Sequence, residues 1–277
     1  MSVELTLADL GLPAESVAVL DAAHVARIAA TLDAPAPAVG EALPTLWHWA
    51  FFTPTTATAG LGHDGHPKIA SPALASSPRR MFGAGQLQWS GDLVVGSVAV
   101  RRSAVRSVRQ VSGGSGDLLI VGLEHTYGHG DDGVLREQQS IVYRAASSDP
   151  VPLPVDAAPP AVPERGWALE RRPEPTLLFR YSAITFNTHR IHYDRPYAGD
   201  VEGYPGLVVH GPLTATTLAT FAEQCTGTRL ATFEFRATAP MFAGQRSTAL
   251  CTADGDARMI RNDGAVAMQA TFTLRDS

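Results

Sequence analysis

The sequence predicts an α+β protein made of two similar halves, each an antiparallel sheet wrapped around a helix. Three observations carry this: a proline-rich break near the middle of the chain, the same order of elements on either side of it, and alternating apolar runs separated by Gly/Asp/Asn turns. At 277 residues the chain suits one large domain or two of ordinary size. The break, 145–163, contains six prolines and no helical or alternating pattern, so it reads as an extended linker, because proline fixes φ and removes a backbone donor. The expected division is an N-terminal half over 1–145, a linker over 146–164 and a C-terminal half over 165–277.

In the N-terminal half, residues 22–32 form an amphipathic helix with Val25, Ile28, Ala29 and Leu32 inward and Asp21 as N-cap. After a Pro/Ala loop, Pro44 introduces the apolar run 46–52, which contains Trp47, His48 and Trp49 and reads as a helix. Strand-like runs follow at 93–111, 118–127 and 134–144, with the Gly-rich turns 112–117 and 128–133 between them. The C-terminal half repeats the order. Residues 176–180 suit a short strand, 181–188 the end of a helix and 189–200 a loop; Pro205-Gly206 is a turn. A helix over 207–223 follows, with Leu213, Leu218 and Phe221 apolar and Pro212 in its first turn. Strand-like runs at 229–237, 245–253 and 265–274 complete the half, with turns at 254–256 and 262–264. One apolar helix wrapped by an antiparallel sheet is the hot-dog architecture. Two copies make a double hot dog, and joining them into one sheet removes an exposed edge.

Composition narrows the function. Hydrophobic residues make up 45% and charged residues 18%, a balance able to bury a core. A net charge of −5 offers no basic field for nucleic acid. No apolar run approaches the roughly 18–20 residues of a membrane helix, and the N-terminus lacks the basic region of a secretory signal. Cys225 and Cys251 stand alone, without a disulfide or zinc-site spacing. The expected place is the cytoplasm.

Chemistry concentrates in 179–213, FRYSAITFNTHRIHYDRPYAGDVEGYPGLVVHGPL. Asn187 and His192 lie five residues apart, and His210-Gly211-Pro212 opens a helix whose first N–H groups are unpaired. This stretch resembles the MaoC-like, (R)-specific enoyl-CoA hydratases, whose signature Asp-x-Asn-Pro-Ile-His is followed by a His-Gly-x-Leu helix start. The signature Asp falls on Asn187, its Asn on His189, its Pro on Arg190, its Ile on Ile191 and its His on His192; the helix start falls on His210, Gly211 and Leu213. The block is more similar still to the subgroup of mesaconyl-C4-CoA (3-methylfumaryl-CoA) hydratases and hydroxyacyl-thioester dehydratases type 2, where Asn also takes the Asp position. The segments Trp47-His48-Trp49 and Pro78-Arg79-Arg80-Met81 look like that subgroup as well.

The resemblance implies a hydro-lyase that adds water reversibly to an α,β-unsaturated acyl-CoA. His192 is the expected general acid/base, since an imidazole can take a proton from water and deliver one to the α-carbon. Asn187 is expected to hold the water or fix the imidazole tautomer, and the Gly211 N–H to meet the thioester oxyanion, glycine letting the substrate approach closely. Arg79, Arg80 and Arg190 are candidate anchors for a substrate carboxylate or a CoA phosphate, with structural ion pairs as the plainer reading. Tyr181, His189 and His210 are the other residues of the block expected around the substrate. The N-terminal half has no such motif and is expected only to shape the pocket.

No cofactor is expected, CoA being part of the substrate. No metal is expected either: His189/His192, His63/His66 and His125/His129 have suggestive spacings, but no recognised third ligand. The acyl-CoA is the expected partner; the resemblance points to a branched dicarboxylic one such as mesaconyl-C4-CoA, with straight-chain enoyl groups open, and leaves room for a homodimer of double hot dogs. The alternatives are a hot-dog thioesterase, for which Glu223 lies too far along its helix from Gly211, and a non-catalytic thioester binder.

Overall fold

Ten antiparallel strands form one continuous sheet in the order β1-β3-β4-β5-β2-β7-β10-β9-β8-β6. The strands are β1 (Glu15–Val19), β2 (Arg79–Trp89), β3 (Val98–Gly113), β4 (Gly116–His129), β5 (Asp132–Arg144), β6 (Gly166–Arg171), β7 (Leu230–Ala237), β8 (Ser247–Thr252), β9 (Asp256–Arg261) and β10 (Val266–Leu274). The structure is a computed structural model and describes residues 4–68, 71, 74, 79–113, 116–145 and 150–276. The first five strands and the last five have the same order, each half running from a short edge strand to a strand at the centre. The halves join where β2 pairs with β7, Ala84 opposite Arg236 through Gln88 opposite Thr232.

Among the described residues, the helices α1 (Ala22–Leu32), α2 (Pro175–Ile184) and α3 (Gly211–Thr226) accompany the sheet. In α1, the Asp21 side chain accepts from the His24 N–H at 2.8 Å, and Val25, Ile28 and Ala29 are buried. The α3 helix lies against β7–β10 and carries small buried residues on most of its circumference, among them Ala215, Ala219 and Ala222. Four of its hydroxyls bond within the helix: Thr214, Thr216, Thr217 and Thr226 each donate to the carbonyl four residues back. One apolar cluster runs through both halves, from Ile28 and Trp47 to Leu218, Phe233 and Phe235.

The structure corrects several sequence expectations. Residues 176–180 belong to α2, not to a strand; Pro175 in the first helical turn opens it. The run 46–52 is no long helix but a 3-10 turn at Trp47–Ala50, entered through Leu46 at φ 69°. Its aromatic and imidazole side chains are fixed instead by Glu137 of β5. The fully buried Glu137 carboxylate accepts from Trp49 Nε1 (2.8 Å), the Tyr127 hydroxyl (2.8 Å) and Gln139 Nε2 (2.7 Å), and lies 3.2 Å from His48 Nε2. Burial works against the charged carboxylate, but its bonds and the charge of His48 outweigh it and pull the pKa down to about 2. Strands β1, β2, β6 and β9 lie outside the runs expected from the sequence. Between β5 and β6, residues 150–163 run without helix or strand along the C-terminal half; Val151 N–H donates to Gly203 and Ala157 N–H to Asn262.

At the junction the Phe235 ring lies over Gly85 of β2, where a Cβ would come within 2.5 Å of the ring. Gly85→Ala must therefore displace that ring or part the two strands. It is expected to lower stability by about 1–3 kcal/mol, read as a reduced midpoint in urea unfolding at unchanged slope.

Candidate active site

The motif 187–192 follows α2 directly. Phe186 at φ 51° ends the helical path, and the Asn187 Oδ1 accepts from the His189 N–H at 3.1 Å, an Asx turn that swings the chain into the 3-10 turn Arg190–His192. His192 is thereby buried beneath the segment leading to α3. Its Nδ1 donates to the Val208 carbonyl at 2.7 Å, which leaves the lone pair on Nε2. Of the two roles expected of Asn187, fixing this tautomer falls to Val208; the Asn187 Oδ1 shapes the turn. Burial pushes the His192 pKa down to about 4, against the pull of the Val208 carbonyl.

His192 belongs to a row of four imidazoles. Its ring stacks on His210 at 3.6 Å and 20°; His189 meets it edge-on at 5.4 Å, and the ring of His66, from the N-terminal half, lies 4.1 Å from that of His189. His210 is wholly buried, its Nε2 2.9 Å from the Ser182 hydroxyl, and Tyr181 packs beside it with ring centres 5.0 Å apart. Tyr181 and His210 are thus both buried and packed in sequence against His192. Burial drives the His189 and His210 pKa values far down, so both are neutral.

Gly211 opens α3 next to this row, and its N–H makes no hydrogen bond among the described residues. A Cβ on Gly211 would only touch Phe82, at 3.6 Å or more, so packing against protein does not explain the glycine. The N–H of a first helical residue is suited to a developing oxyanion.

The arginines separate clearly. Arg79 is buried and paired with Glu202, Nε to Oε2 at 3.0 Å, with a second bond to the Glu202 carbonyl. Arg190 binds Asp194 at 2.7 Å, donates to the His63 carbonyl and covers the Tyr197 ring at 4.3 Å. Both hold the fold, the plainer reading. Arg80 differs: it is half-buried, lies opposite Tyr143 in the β2–β5 pairing, is near enough to His66 and His189 for its charge to disfavour their protonation, and no carboxylate among the described residues is within ion-pair distance of it.

The sequence reading missed Asp64 and took His66 only as half of a metal pair with His63. A tight turn, 62–66, carries Asp64 and His66 onto the C-terminal motif. Arg190 N–H donates to the Asp64 carbonyl at 2.8 Å, and the Thr188 hydroxyl donates to the Gly65 carbonyl. Gly65 has φ +89°, and a Cβ there would fall 1.8 Å from the Thr188 oxygen, so only glycine allows this docking. Asp64 Oδ2 accepts from His66 Nδ1 at 3.0 Å. The donor atoms of Asp64, His66 and His189 all lie within 4.8 Å of one another, the set of described residues that could hold a metal ion. A two-residue Asp-x-His spacing around a turn glycine is the signal that could have pointed here.

If His192 is as deeply desolvated as its burial implies, its ring resonances should not titrate near pH 6.5. Histidine-labelled NMR, with His192→Gln for assignment, is expected to show this imidazole neutral until the pH falls below about 5.

The family model of hydroxyacyl-thioester dehydratase type 2 matches residues 46–243. The chain is 41% identical over 261 residues to a mesaconyl-C(4)-CoA hydratase of Chloroflexus aurantiacus, covering 91% of each chain. It is 31% identical over 114 residues to the mitochondrial hydroxyacyl-thioester dehydratase type 2 of Schizosaccharomyces pombe, covering 40% of this chain and 37% of that one. Among solved structures it is similar to HtdX from Mycobacterium tuberculosis, with TM-score 0.67 and 18% identity over 95% of this chain and 100% of that one, a likeness of fold. A double hot-dog protein of the same organism aligns at TM-score 0.50 and 16% identity, over 90% of this chain and 84% of that one. With the family model matching residues 46–243 and a hydratase relative 41% identical over 91% of each chain, this chain belongs to the hydroxyacyl-thioester dehydratase type 2 family and is a hydro-lyase of acyl thioesters.

Proposed function

We propose that the chain hydrates an α,β-unsaturated acyl-CoA bearing a second carboxylate, as the name of the Chloroflexus relative suggests, with His192 as general base and the Gly211 N–H as oxyanion donor. The observation that carries this is the His192 tautomer: with Nδ1 bound to Val208, the lone pair on Nε2 is ready to take a proton from water. As the water oxygen bonds to Cβ, electrons move onto the thioester oxygen. A positioned N–H at that oxygen is worth about 3 kcal/mol in the transition state. Dehydration of the 3-hydroxyacyl thioester runs the same steps backwards.

Arg80 supports the dicarboxylic substrate, because a guanidinium near the histidine row with no carboxylate partner among the described residues is suited to the far carboxylate. The reading uses CoA as part of the substrate and needs no resident cofactor. A cytoplasmic place goes with it. So does a homodimer, which would cover the exposed Val17, Val19 and Val98 near the β1 edge. The thioesterase alternative lacks its acid: Glu223 lies about 18 Å along α3 from Gly211 and is bound to the Thr45 hydroxyl and the Leu230 N–H.

The test is a mass-resolved assay with crotonyl-CoA and mesaconyl-C4-CoA. Wild type is expected to add water and His192→Ala to lose the activity. Arg80→Met is expected to lower kcat/KM for the dicarboxylic thioester by about 10–100-fold, the worth of one charge-assisted bond, and to spare crotonyl-CoA. Release of free CoA without water addition would overturn the hydratase reading; equal losses on both thioesters would overturn the role of Arg80.

A further inference from the structure

Hydration needs two proton transfers, one from the water oxygen and one to the α-carbon. His192 has only a backbone carbonyl behind it. His66 has a carboxylate, Asp64, whose Oδ1 also accepts from the His66 backbone N–H at 3.1 Å. Burial opposes the Asp64 charge, but the bonds and charge of His66 outweigh it and keep this carboxyl below its usual pKa, so Asp64 is ionised at neutral pH. The Nδ1–H of His66 therefore points at Asp64, and its Nε2 is the nitrogen left for chemistry. A carboxylate behind an imidazole stabilises the imidazolium. The side chains of His66 and Asp64 are 16% and 26% exposed, whereas His192 is 7% and His210 0% exposed, so His66 stands at the open end of the row.

We propose that His66, held by Asp64, is a second acid/base of the site and delivers the proton to the α-carbon while His192 takes the proton from water. The inference rests on the hydratase reading. In the forward step the His192 Nε2 removes a proton from water as the C–O bond forms at Cβ. The electrons of the double bond move to the α-carbon, which takes the proton from the His66 imidazolium. His192 then carries one proton and His66 has lost one. Passage of that proton back to His66, along the row or through solvent at its open end, restores both and leaves the net addition of one water. Asp64 is a positioning residue. The titratable and charged groups facing His66 are Asp64 from its own turn, Arg80 from β2, and the neutral His189 and His192 from the C-terminal motif; Glu202 faces His189, and Tyr197 faces Asp64. Burial and Arg80 hold the His66 pKa down, and Asp64 acts against them. The N-terminal half, expected only to shape the pocket, thereby supplies part of the chemistry.

The experiment measures kcat, KM and the pH profile of hydration for His66→Gln, His66→Ala and Asp64→Asn, with folding checked by circular dichroism. The backbone bonds that dock the turn survive these changes. His66→Gln is expected to lower kcat by about 10²-fold with little change in KM. Added imidazole is expected to restore part of the rate in His66→Ala, because that position opens to solvent. Asp64→Asn removes the charge that favours the imidazolium, so the alkaline limb of the kcat profile is expected to move to lower pH. A folded His66→Gln with kcat within about threefold of wild type and an unmoved profile would overturn the proposal. So would a loss in His66→Ala that imidazole does not restore. If wild type hydrates no thioester, the hydratase reading has failed instead; if wild type is active, His192→Ala is dead and His66→Gln is normal, only this inference has failed.

Discussion

The pairing of β2 with β7 is the contact on which the rest of the molecule depends. It turns two five-stranded sheets into one and brings the chain before β2 against the segment after α2. Without it, each half would expose a central strand edge and the apolar surface shared by Trp47, Phe233 and Phe235. With it, Arg80 and the 62–66 turn of one half stand beside His189 and His192 of the other. The site is thus a product of the junction as much as of the motif.

Burial sets the chemistry of that site. A histidine in water divides its time between two charge states near neutral pH. Stacked on His210, edge-on to His189 and capped by Val208, His192 is held as the neutral base, because charging it would place a cation among other imidazoles with little water. The same desolvation strengthens any dipole aimed at the substrate, so the free N–H of Gly211 counts for more here than at an exposed helix end.

The sequence made the duplication and the chemical motif legible. Alternating runs with Gly-rich turns foretold β3, β4, β5 and β10, and Pro212 marked the start of α3. What it hid has physical reasons. Strands β1 and β6 are five or six residues long at sheet edges, where alternation is faint. The brevity of the 47–50 turn follows from Leu46 in the left-handed region and from side-chain bonds to Glu137, 88 or more residues away. Single arginines give no hint of their partners, so Arg79 and Arg190 read the same as Arg80 until Glu202 and Asp194 are seen beside them. The reach of Asp64 and His66 into the C-terminal motif depends on Gly65 passing against Thr188, a contact across the junction that no local pattern announces.

The two halves share a topology and differ in what fills the corresponding place. In the C-terminal half, the segment between the α2 helix and the central strand β7 carries neutral histidines and a full helix with an open N-terminus. In the N-terminal half, the segment between α1 and β2 contains the 47–50 turn, locked onto Glu137. A carboxylate with a pKa of about 2, surrounded by four donors, holds one charge state across the physiological range and has no spare lone pair aimed at open space. It suits permanent structure and not proton transfer. The imidazole row differs: burial holds His189, His192 and His210 neutral, and polar atoms are left over, His210 Nδ1 among them. One half therefore became rigid support, and a turn of that rigid half is what holds Asp64 and His66 steady against the site of the other.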